Sequence, residues 1–166
     1  MPSPTYRLGV PADAYEIAVM SRYLIEVGLR GWSWPPDRVA KAIKARETGV
    51  LVADVGQHLV GFAIMEFGDT SAHLSLFAVK PSHQRCGIGK QMVSWLEEAA
   101  LVAGITAINL ELRVNNFAAR TFYRVLGYKE NSYIPGYYRG IETAVKMTRD
   151  IRRVVPSTLR GELRDK

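Results

Sequence analysis

The stretch HQRCGIGKQ, residues 83–91, constrains the fold and the chemistry of this chain more than any other feature of its sequence. An apolar run typical of a strand precedes it at 72–80, and a run with apolar residues at helical spacing follows at 87–103. A glycine-rich turn between a strand and a helix exposes backbone N–H groups at the helix N-terminus, where the helix dipole also favours an anion. The stretch therefore predicts a phosphate-binding loop, and a tight turn without a ligand is the alternative.

Two well-known nucleotide-binding loops do not match this stretch. The phosphate-binding loop of NTPases needs a glycine at the position of Gln84 and a serine or threonine at the position of Gln91. The dinucleotide-binding fingerprint needs its third glycine at the position of Met92. What remains is the pattern Q-R-C-G-I-G, residues 84–89, at the start of an amphipathic helix.

The periodicity of the whole chain predicts a mixed α/β domain. Asn115 and Asn116 precede the last predicted helix and supply its N-cap. Residues 28–36 and 134–140 are predicted loops, and residues 11–13 open the first helix. Helices are predicted at 14–27, 37–48, 87–103 and 117–126, and strands at 6–10, 50–55, 58–67, 72–80, 106–113, 128–133 and 141–148.

Length and composition are those of one globular domain, since 166 residues with 48% hydrophobic and 23% charged side chains suffice for a core. We expect the domain at 1–149 and a basic tail at 150–166. No apolar run reaches the roughly 18 residues that a membrane helix needs, and the N-terminus lacks the pattern of an export signal. With its single cysteine, Cys86, the chain fits a reducing compartment, so a cytoplasmic location without a membrane partner is expected.

The net charge of +6 is unevenly distributed. Residues 149–166 carry six Lys or Arg and three Asp or Glu, so half of the positive excess lies at the C-terminal end. The rest is spread along the chain without a basic run, which argues against a nucleic-acid partner. A solvated basic surface and a basic rim around an anionic cofactor both remain open.

Two longer segments carry a family resemblance. LFAVKPSHQRCGIGKQMVSWLEEAA and LELRVNNFAARTFYRVLGY occur in this order. They resemble the core strand, loop and helix, and then the next strand and helix, of the GCN5-related N-acetyltransferase (GNAT) family. Within that family the segment LELRVNN is most similar to the ribosomal-protein-alanine and other N-terminal N-acetyltransferases. The resemblance implies an α/β (α+β) fold with a mixed, mostly antiparallel central sheet flanked by about four helices.

The same resemblance implies that acetyl-CoA is the co-substrate. Backbone amides of the glycine loop would hold its pyrophosphate, with added charge from two side chains of the loop. The backbone at Phe77, Ala78 and Val79, where the family strand bulges, would bind the pantetheine arm and the oxyanion, and Asn116 would also contact the cofactor. The loop residues concerned are Arg85, Cys86, Gly87, Ile88, Gly89 and Lys90.

Acetyl transfer to an amine needs a base for the amine proton and a proton for the leaving thiolate. In the strand AINLELR, alternation places Glu111 on the polar face, opposite the core. The resemblance implies Glu111 as general base, directly or through water, and Tyr123 as the acid. A phenol has a reference pKa of about 10 and a thiol about 8.5, so the site must lower the pKa of Tyr123 or develop the thiolate charge late. The alternatives are an exposed strand carboxylate for Glu111 and a core-packing ring for Tyr123.

Other reactive residues carry weaker signals. Cys86 has no patterned histidine partner, so a passive thiol is expected rather than an acyl-carrying nucleophile. His58, His73 and His83 stand singly without the spacing of metal ligands, and no metal site is expected.

The two predicted loops contain the candidate acceptor-binding residues. Trp32 and Trp34 lie in the first, and Tyr137 and Tyr138 in the second, where the resemblance implies that paired tyrosines hold a peptide backbone. Aromatic loops also serve as packing lids. The sequence thus predicts an N-acetyltransferase for a protein or peptide N-terminus, in a monomer or homodimer. The alternatives are acetylation of a small amine, such as a polyamine or aminoglycoside, a non-catalytic acetyl-CoA-binding module, and a nucleic-acid-associated module.

Overall fold

The computed structural model describes residues 2–152, which form one seven-stranded sheet with two helices on each face. The glycine loop connects a central strand to the longest helix, as its sequence predicts. The α-helices are α1 (Ala14–Met20), α2 (Pro36–Lys44), α3 (Ile88–Val102) and α4 (Phe117–Val125), and the strands are β1 (Pro4–Leu8), β2 (Thr48–Val55), β3 (His58–Phe67), β4 (Ser71–Val79), β5 (Ala107–Arg113), β6 (Lys129–Tyr138) and β7 (Glu142–Asp150).

The sheet has the strand order β1-β2-β3-β4-β5-β7-β6. Every neighbouring pair is antiparallel except β4 and β5, which are parallel. This parallel pairing ends at Leu74 and Leu110. Beyond these residues β4 continues beside β3 and β5 beside β7, so the two central strands separate into a fork. The predicted mixed, mostly antiparallel sheet is confirmed.

A bulge in β4 marks the start of the fork. Leu74 pairs with Met65 and Leu76 with Ile64, which leaves Ser75 without a partner on β3. The bulge reverses the alternation of the strand, because Leu74 packs against α3 whereas Leu76 packs on the side of α1 and α2. The bulge was expected near 77–79, but these residues pair in regular order with residues 61–63 of β3, and the extra residue is Ser75 instead.

The core occupies both faces of the sheet. On one face α3 and α4 cover β5, with Met92 and Ile108 almost completely buried. On the other face α1 and α2 cover β2 and β3, with Ile17, Val39 and Phe62 at the centre. Burying each such side chain contributes about 1.5–3 kcal/mol, so the sheet is held firmly on both sides of the fork.

Two helices are shorter than predicted. The predicted helix 14–27 is α-helical only to Met20 and continues as a single π-helical turn over Ser21–Ile25, closed by the bond from the Glu26 N–H to the Ser21 carbonyl. The predicted helix 37–48 ends at Lys44, because Thr48 already pairs with Glu66 in the sheet.

The C-terminal strands are longer than predicted. β6 reaches Tyr138, so most of the predicted loop 134–140 is strand. Pro135 is tolerated there because β6 is an edge strand and its pairing is interrupted between Ile134 and Tyr138. β7 ends at Asp150 and Ile151 is buried, while the part of the predicted basic tail from residue 153 onward lies outside the described residues. Within residues 2–152, the helices are all too short or too polar to cross a bilayer.

Candidate active site

The glycine loop has a strained, outward-facing backbone. A short 3₁₀ turn, Pro81–His83, follows β4, and the Gln84 side-chain amide then donates a 2.9 Å hydrogen bond to the Val79 carbonyl, which ties the loop to the strand end. Arg85 has a φ of 60° and Gly87 a φ of 83°, both in the left-handed region. A residue other than glycine adopts this conformation at a cost of about 1–2 kcal/mol, so the loop is held in this shape by its surroundings.

The left-handed turns leave a row of free donors. The N–H groups of residues 85–90 have no acceptor within residues 2–152, and the first bonded N–H of α3 belongs to Gln91, which donates to the Gly87 carbonyl at 3.0 Å. Arg85, Cys86 and Lys90 have exposed side chains beside this row. The arrangement can bind an anion such as a phosphate at the start of α3. The role of these residues in cofactor binding stays a prediction.

The two glycines of the loop have different reasons to lack a side chain. Gly87 needs its left-handed φ, although a Cβ there would point into open space. Gly89 has no such φ, but a Cβ would lie 3.3 Å from the Phe122 ring and 3.5 Å from that of Phe77. Both glycines were predicted to allow the close approach of a phosphate. Gly89 also allows α3, α4 and β4 to pack closely.

Glu111 lies where the fork opens. It is the first residue of β5 beyond the pairing with β4, and its side chain is only 13% exposed. Its Oε2 atom makes a short contact with Nε2 of His73 on β4. Burial alternates along β5 as predicted, with Leu110 and Leu112 in the core and Glu111 on the opposite face.

His73 connects this carboxylate to a polar group of side chains on β3 and β4. Its Nδ1 atom lies 3.2 Å from the Ser75 hydroxyl and 3.7 Å from a carboxylate oxygen of Glu66. The hydrogen bond with Glu111 raises the pKa of His73 above its ordinary value; burial opposes the increase, and the charges of Glu111 and Glu66 add to it. The contact of His73 with Glu111 was not predicted from the sequence. The sequence shows only that a histidine occupies a polar position of the strand before the glycine loop.

Two tyrosines approach Glu111 from the end of β6. The rings of Tyr137 and Tyr138 are 4.9 Å apart and nearly perpendicular. Burial raises the pKa of Tyr137, and the Glu111 carboxylate raises it further. The pKa of Tyr138 is raised by burial first and then by the neighbouring Tyr137 and Glu111. The structure thus brings the two predicted tyrosines together with the predicted base.

Tyr123 is a buried ring of α4 with 6% of its surface exposed. It contacts Phe77, Phe122 and Tyr128, with ring centroids 6.2, 5.1 and 5.4 Å away, and its hydroxyl has no hydrogen-bond partner among the described residues. Burial raises its pKa above the ordinary value, and Tyr138 adds to the increase. In this structure the pKa of Tyr123 thus shifts upward, in the direction opposite to a lowered tyrosine pKa. The role of Tyr123 as the acid stays a prediction.

The tryptophans of the 28–36 loop differ in accessibility. Trp34 is buried among residues of α1 and α2, and the Arg38 guanidinium lies 3.7 Å from its ring centre. This placement favours core packing over the predicted contact with substrate. Trp32 is half-buried, its indole N–H donates a 3.3 Å bond to the Ala18 carbonyl, and the Arg22 guanidinium lies 5.4 Å from its ring centre.

Polar contacts fasten this loop to the sheet. Arg113 on β5 donates to the Ile25 carbonyl at 3.1 Å. Glu26 is buried, accepts a 2.7 Å bond from the Ser33 N–H and lies 3.7 Å from Arg139, whose guanidinium also donates to the Ser33 hydroxyl. Arg113 and Arg139 were not predicted as residues that hold this loop, because the groups they contact lie far away along the chain.

Asn116 and Cys86 have local contacts only. Asn116 caps α4 as predicted, with its Oδ1 accepting a 3.2 Å bond from the Ala119 N–H. It is exposed, and its predicted contact with a cofactor is untested. The Cys86 thiol is exposed and contacts the Gln84 carbonyl at 3.4 Å. Across the part of the chain that the structure describes, His, Cys, Asp and Glu side chains form no group of three suited to a metal ion.

The chain is similar in sequence to the [ribosomal protein bS18]-alanine N-acetyltransferase of Salmonella typhimurium. The two are 33% identical over 100 residues, which make up 58% of this chain and 66%, just under two thirds, of the relative.

Solved structures share the fold. Ard1 of Thermoplasma volcanium superposes with a TM-score of 0.79 at 22% identity, over 90% of this chain and 99% of that one. The protein yncA of Salmonella typhimurium, solved with its cofactor acetyl-CoA, superposes with a TM-score of 0.76 at 20% identity, over 92% of this chain and 96% of that one. At these identities the likeness establishes the architecture.

The family match covers both parts of the site. The model of the acetyltransferase (GNAT) family matches residues 14–128, which include the glycine loop, the fork and the buried tyrosine of α4. The chain belongs to the GNAT acetyltransferase family.

Proposed function

We propose that this protein transfers the acetyl group of acetyl-CoA directly to a primary amine, and that the acceptor is a protein or peptide N-terminus. The observation that carries the proposal is that Tyr138 lies near enough to interact electrostatically with both Glu111 and Tyr123. The glycine loop reaches the same region, because Gly89 packs against Phe77 and Phe122, the two rings that contact Tyr123. A base, a neutral hydroxyl and an anion site within one region are what this reaction needs.

The loop and the fork are suited to the two polar parts of acetyl-CoA. The N–H groups of residues 85–90, with Arg85 and Lys90, would hold the pyrophosphate. The edge of β4 that faces β5 has no strand partner from Ser75 to Val79. Such an edge offers N–H and C=O groups to an extended ligand with amides of its own, as in the pantetheine arm. The related fold of yncA contains acetyl-CoA, which supports the same co-substrate here.

Glu111 accepts a proton from the acceptor amine, directly or through one water. The amine nitrogen then attacks the acetyl carbon, the C–N bond forms, and the C–S bond breaks. Tyr123 stays neutral, because burial raises its pKa, and it donates a hydrogen bond to the sulfur as negative charge develops late there. Burial also raises the pKa of a thiol in the same apolar surroundings, which offsets at least part of the increase in the pKa of Tyr123.

The tyrosines at the end of β6 are suited to bind a peptide N-terminus. Tyr137 and Tyr138 carry hydroxyls at a part of β6 where strand pairing is interrupted, and such groups can bind the backbone of an extended peptide. An α-amino group has a reference pKa of about 7.7–8.0, against about 10.4 for a lysine, so it loses its proton more easily to a carboxylate. The naming of a sequence relative as a ribosomal-protein-alanine N-acetyltransferase supports the same acceptor class.

The test is a panel of acceptors with thiol release as the readout. Peptides with a free N-terminus and an internal lysine are compared with the same peptides blocked at the N-terminus, with spermidine and with an aminoglycoside. We expect thiol release with the free peptides and a mass increase at the N-terminal residue. Activity with the blocked peptides or the small amines alone would overturn the assigned acceptor. Binding of acetyl-CoA without thiol release from any acceptor would indicate a non-catalytic module instead.

A further inference from the structure

We propose that His73 and Glu111 act as one base, in which Glu111 takes the proton of the acceptor amine and His73 holds it. Ser75 and Glu66 would connect His73 to solvent. The proposal rests on the proposed function and adds a positioning residue on β4 to the machinery of β5.

The geometry places a shared proton between the two side chains. The Ser75 hydroxyl donates to Glu66 at 2.8 Å. In the tautomer consistent with this bond, the Ser75 oxygen accepts from the N–H at Nδ1 of His73, 3.2 Å away, and Nε2 faces Glu111 Oε2. Nε2 and a carboxylate oxygen are then both acceptors, so a hydrogen bond between them requires one more proton. The pair therefore carries one proton at rest, and its basic form is the state that has lost it.

A histidine in this position matches the acceptor amine better than a carboxylate alone does. The reference pKa is about 4.3 for glutamic acid and about 7.7–8.0 for an α-amino group, so transfer to an isolated carboxylate is uphill by more than three units. An imidazole begins near 6.5, and contact with Glu111 raises the pKa of His73 further. A general base is most effective when its pKa is close to that of the group it deprotonates and to the working pH.

The contacts lead from the buried carboxylate to solvent. The side chain of Glu111 is 13% exposed, that of His73 38% and that of Glu66 52%. Glu66 and His73 are register partners on β3 and β4. A proton that enters at Glu111 can thus leave at the outer side of His73 without crossing the acceptor site.

The proton balance of the reaction requires such an exit. An ammonium loses two protons on becoming an amide: one ends on the leaving sulfur, and the other is released to solvent. The C–N bond forms and the C–S bond breaks at the acetyl carbon, while the first proton passes from the amine to Glu111 and then to Nε2 of His73. The imidazolium then loses one proton to solvent, and the pair is again in its basic form once the remaining ring proton is on Nδ1 and Nε2 is free.

Other charged and titratable groups act on the same pair. Glu66 faces His73 from β3, and Lys146 on β7 is the register partner of Glu111. Tyr137 and Tyr138 approach Glu111 from β6, and Arg113 lies on the same face of β5. Because of this coupling, the apparent pKa values belong to the group as a whole.

The first experiment needs no substrate. The imidazole nitrogens of ¹⁵N-histidine-labelled protein are followed by NMR during a pH titration, and His73→Gln identifies the signal. We expect His73 to titrate above the reference value of about 6.5 and to move to lower pH in Glu111→Gln. A midpoint at or below that value, or one unaffected by Glu111→Gln, would overturn the pair. This result is independent of which acceptor, if any, the protein acetylates.

The second experiment measures kcat against pH with a saturating peptide acceptor. In the wild type, kcat should rise with pH as the pair loses its proton. In His73→Gln the maximal kcat should fall about 10- to 100-fold, which is part of the effect of a general base. The rise in kcat should also move to lower pH in this variant. Ser75→Ala should show a smaller loss, and His58→Gln, exposed at the start of β3, should leave the profile unchanged. A uniform loss in His73→Gln with the same midpoint would assign His73 a structural role only.

Discussion

The Arg113 guanidinium on β5 donates a 3.1 Å hydrogen bond to the backbone carbonyl of Ile25, the last residue of the π turn after α1. Arg113 also lies 3.2 Å from Glu142 and 5.9 Å from the Tyr138 ring centre. Glu111 lies on the same face of the same strand. One strand therefore carries the proposed base and also contacts the segment that leads into the loop proposed as a wall of the acceptor site.

Arg113→Lys should weaken acceptor binding without affecting acetyl-CoA. A lysine keeps the charge but cannot present the planar fork that reaches Ile25 and Glu142 together. The loss of one hydrogen bond, about 0.5–1.5 kcal/mol, corresponds to an increase of about 2- to 10-fold in KM for the acceptor. Steady-state kinetics with each substrate varied in turn measure it, and Arg46→Lys, at an exposed position, is the control. An equal increase in the KM for the acceptor and the KM for acetyl-CoA would contradict a specific effect of Arg113 on the loop at the acceptor site.

Gly87→Ala should destabilise the protein and also weaken acetyl-CoA binding. At a φ of 83°, an alanine costs about 1–2 kcal/mol, and any relaxation turns the loop N–H groups away from the phosphates. Gly104 has the same φ of 83° and the same open surroundings, but lies at the end of α3. Gly104→Ala should therefore lose a similar free energy of unfolding and bind acetyl-CoA normally. Acetyl-CoA binding is measured by calorimetric titration. Equal affinities of the two variants would contradict the proposal that the glycine loop binds the phosphates.

Tyr123→Phe should lower kcat and leave both stability and acetyl-CoA affinity nearly unchanged. The hydroxyl has no hydrogen-bond partner among residues 2–152, so its removal leaves no partner unsatisfied. Loss of one donor to a developing charge typically lowers kcat about 10²–10³-fold. Tyr128→Phe is the matched control, since this tyrosine is equally buried but donates to Glu97 at 3.4 Å. An unchanged rate in Tyr123→Phe would remove the residue from the reaction.

The sequence was sufficient where local pattern decides the structure. Alternation along β5 predicted the outward face of Glu111, and Asn116 was correctly identified as the cap of α4. The contact of His73 with Glu111 depends on the parallel register of β4 and β5, and on where that pairing ends. The register between strands that are distant in sequence depends on how the whole sheet packs, so it cannot be predicted from the sequence of either strand alone.

Two further differences have the same origin. The bulge at Ser75 arises between two packed strands, and a serine has no property that predicts it. Trp34 resembled an accessible loop residue because prolines and glycines surround it, yet α1 and α2 enclose it. In both cases tertiary packing overrides what the local residues suggest.

Glu111→Gln should lower kcat by about 10²–10⁴-fold, the usual contribution of a general base. The deficit should be greatest above the pH at which the Glu111–His73 pair loses its proton, because only there does the wild type have its base available. A glutamine is isosteric and keeps an oxygen toward His73, so the fold of the fork should persist, as circular dichroism and acetyl-CoA affinity would verify. A profile across pH that matches the wild type without loss would discard Glu111 as the base.

His73 also makes stability depend on pH. Because the contact with Glu111 raises the pKa of His73 in the folded protein, the proton is held more tightly in the folded than in the unfolded chain. The resulting stabilisation is complete below the unfolded pKa of about 6.5 and disappears as the pH rises through the higher folded pKa. Urea unfolding should therefore show a wild-type advantage over His73→Gln that is larger below about pH 6.5 than well above it. His58→Gln should show a difference that does not follow this pattern. If the advantage instead grew with increasing pH, the protonated form of His73 would not be the one that Glu111 stabilises.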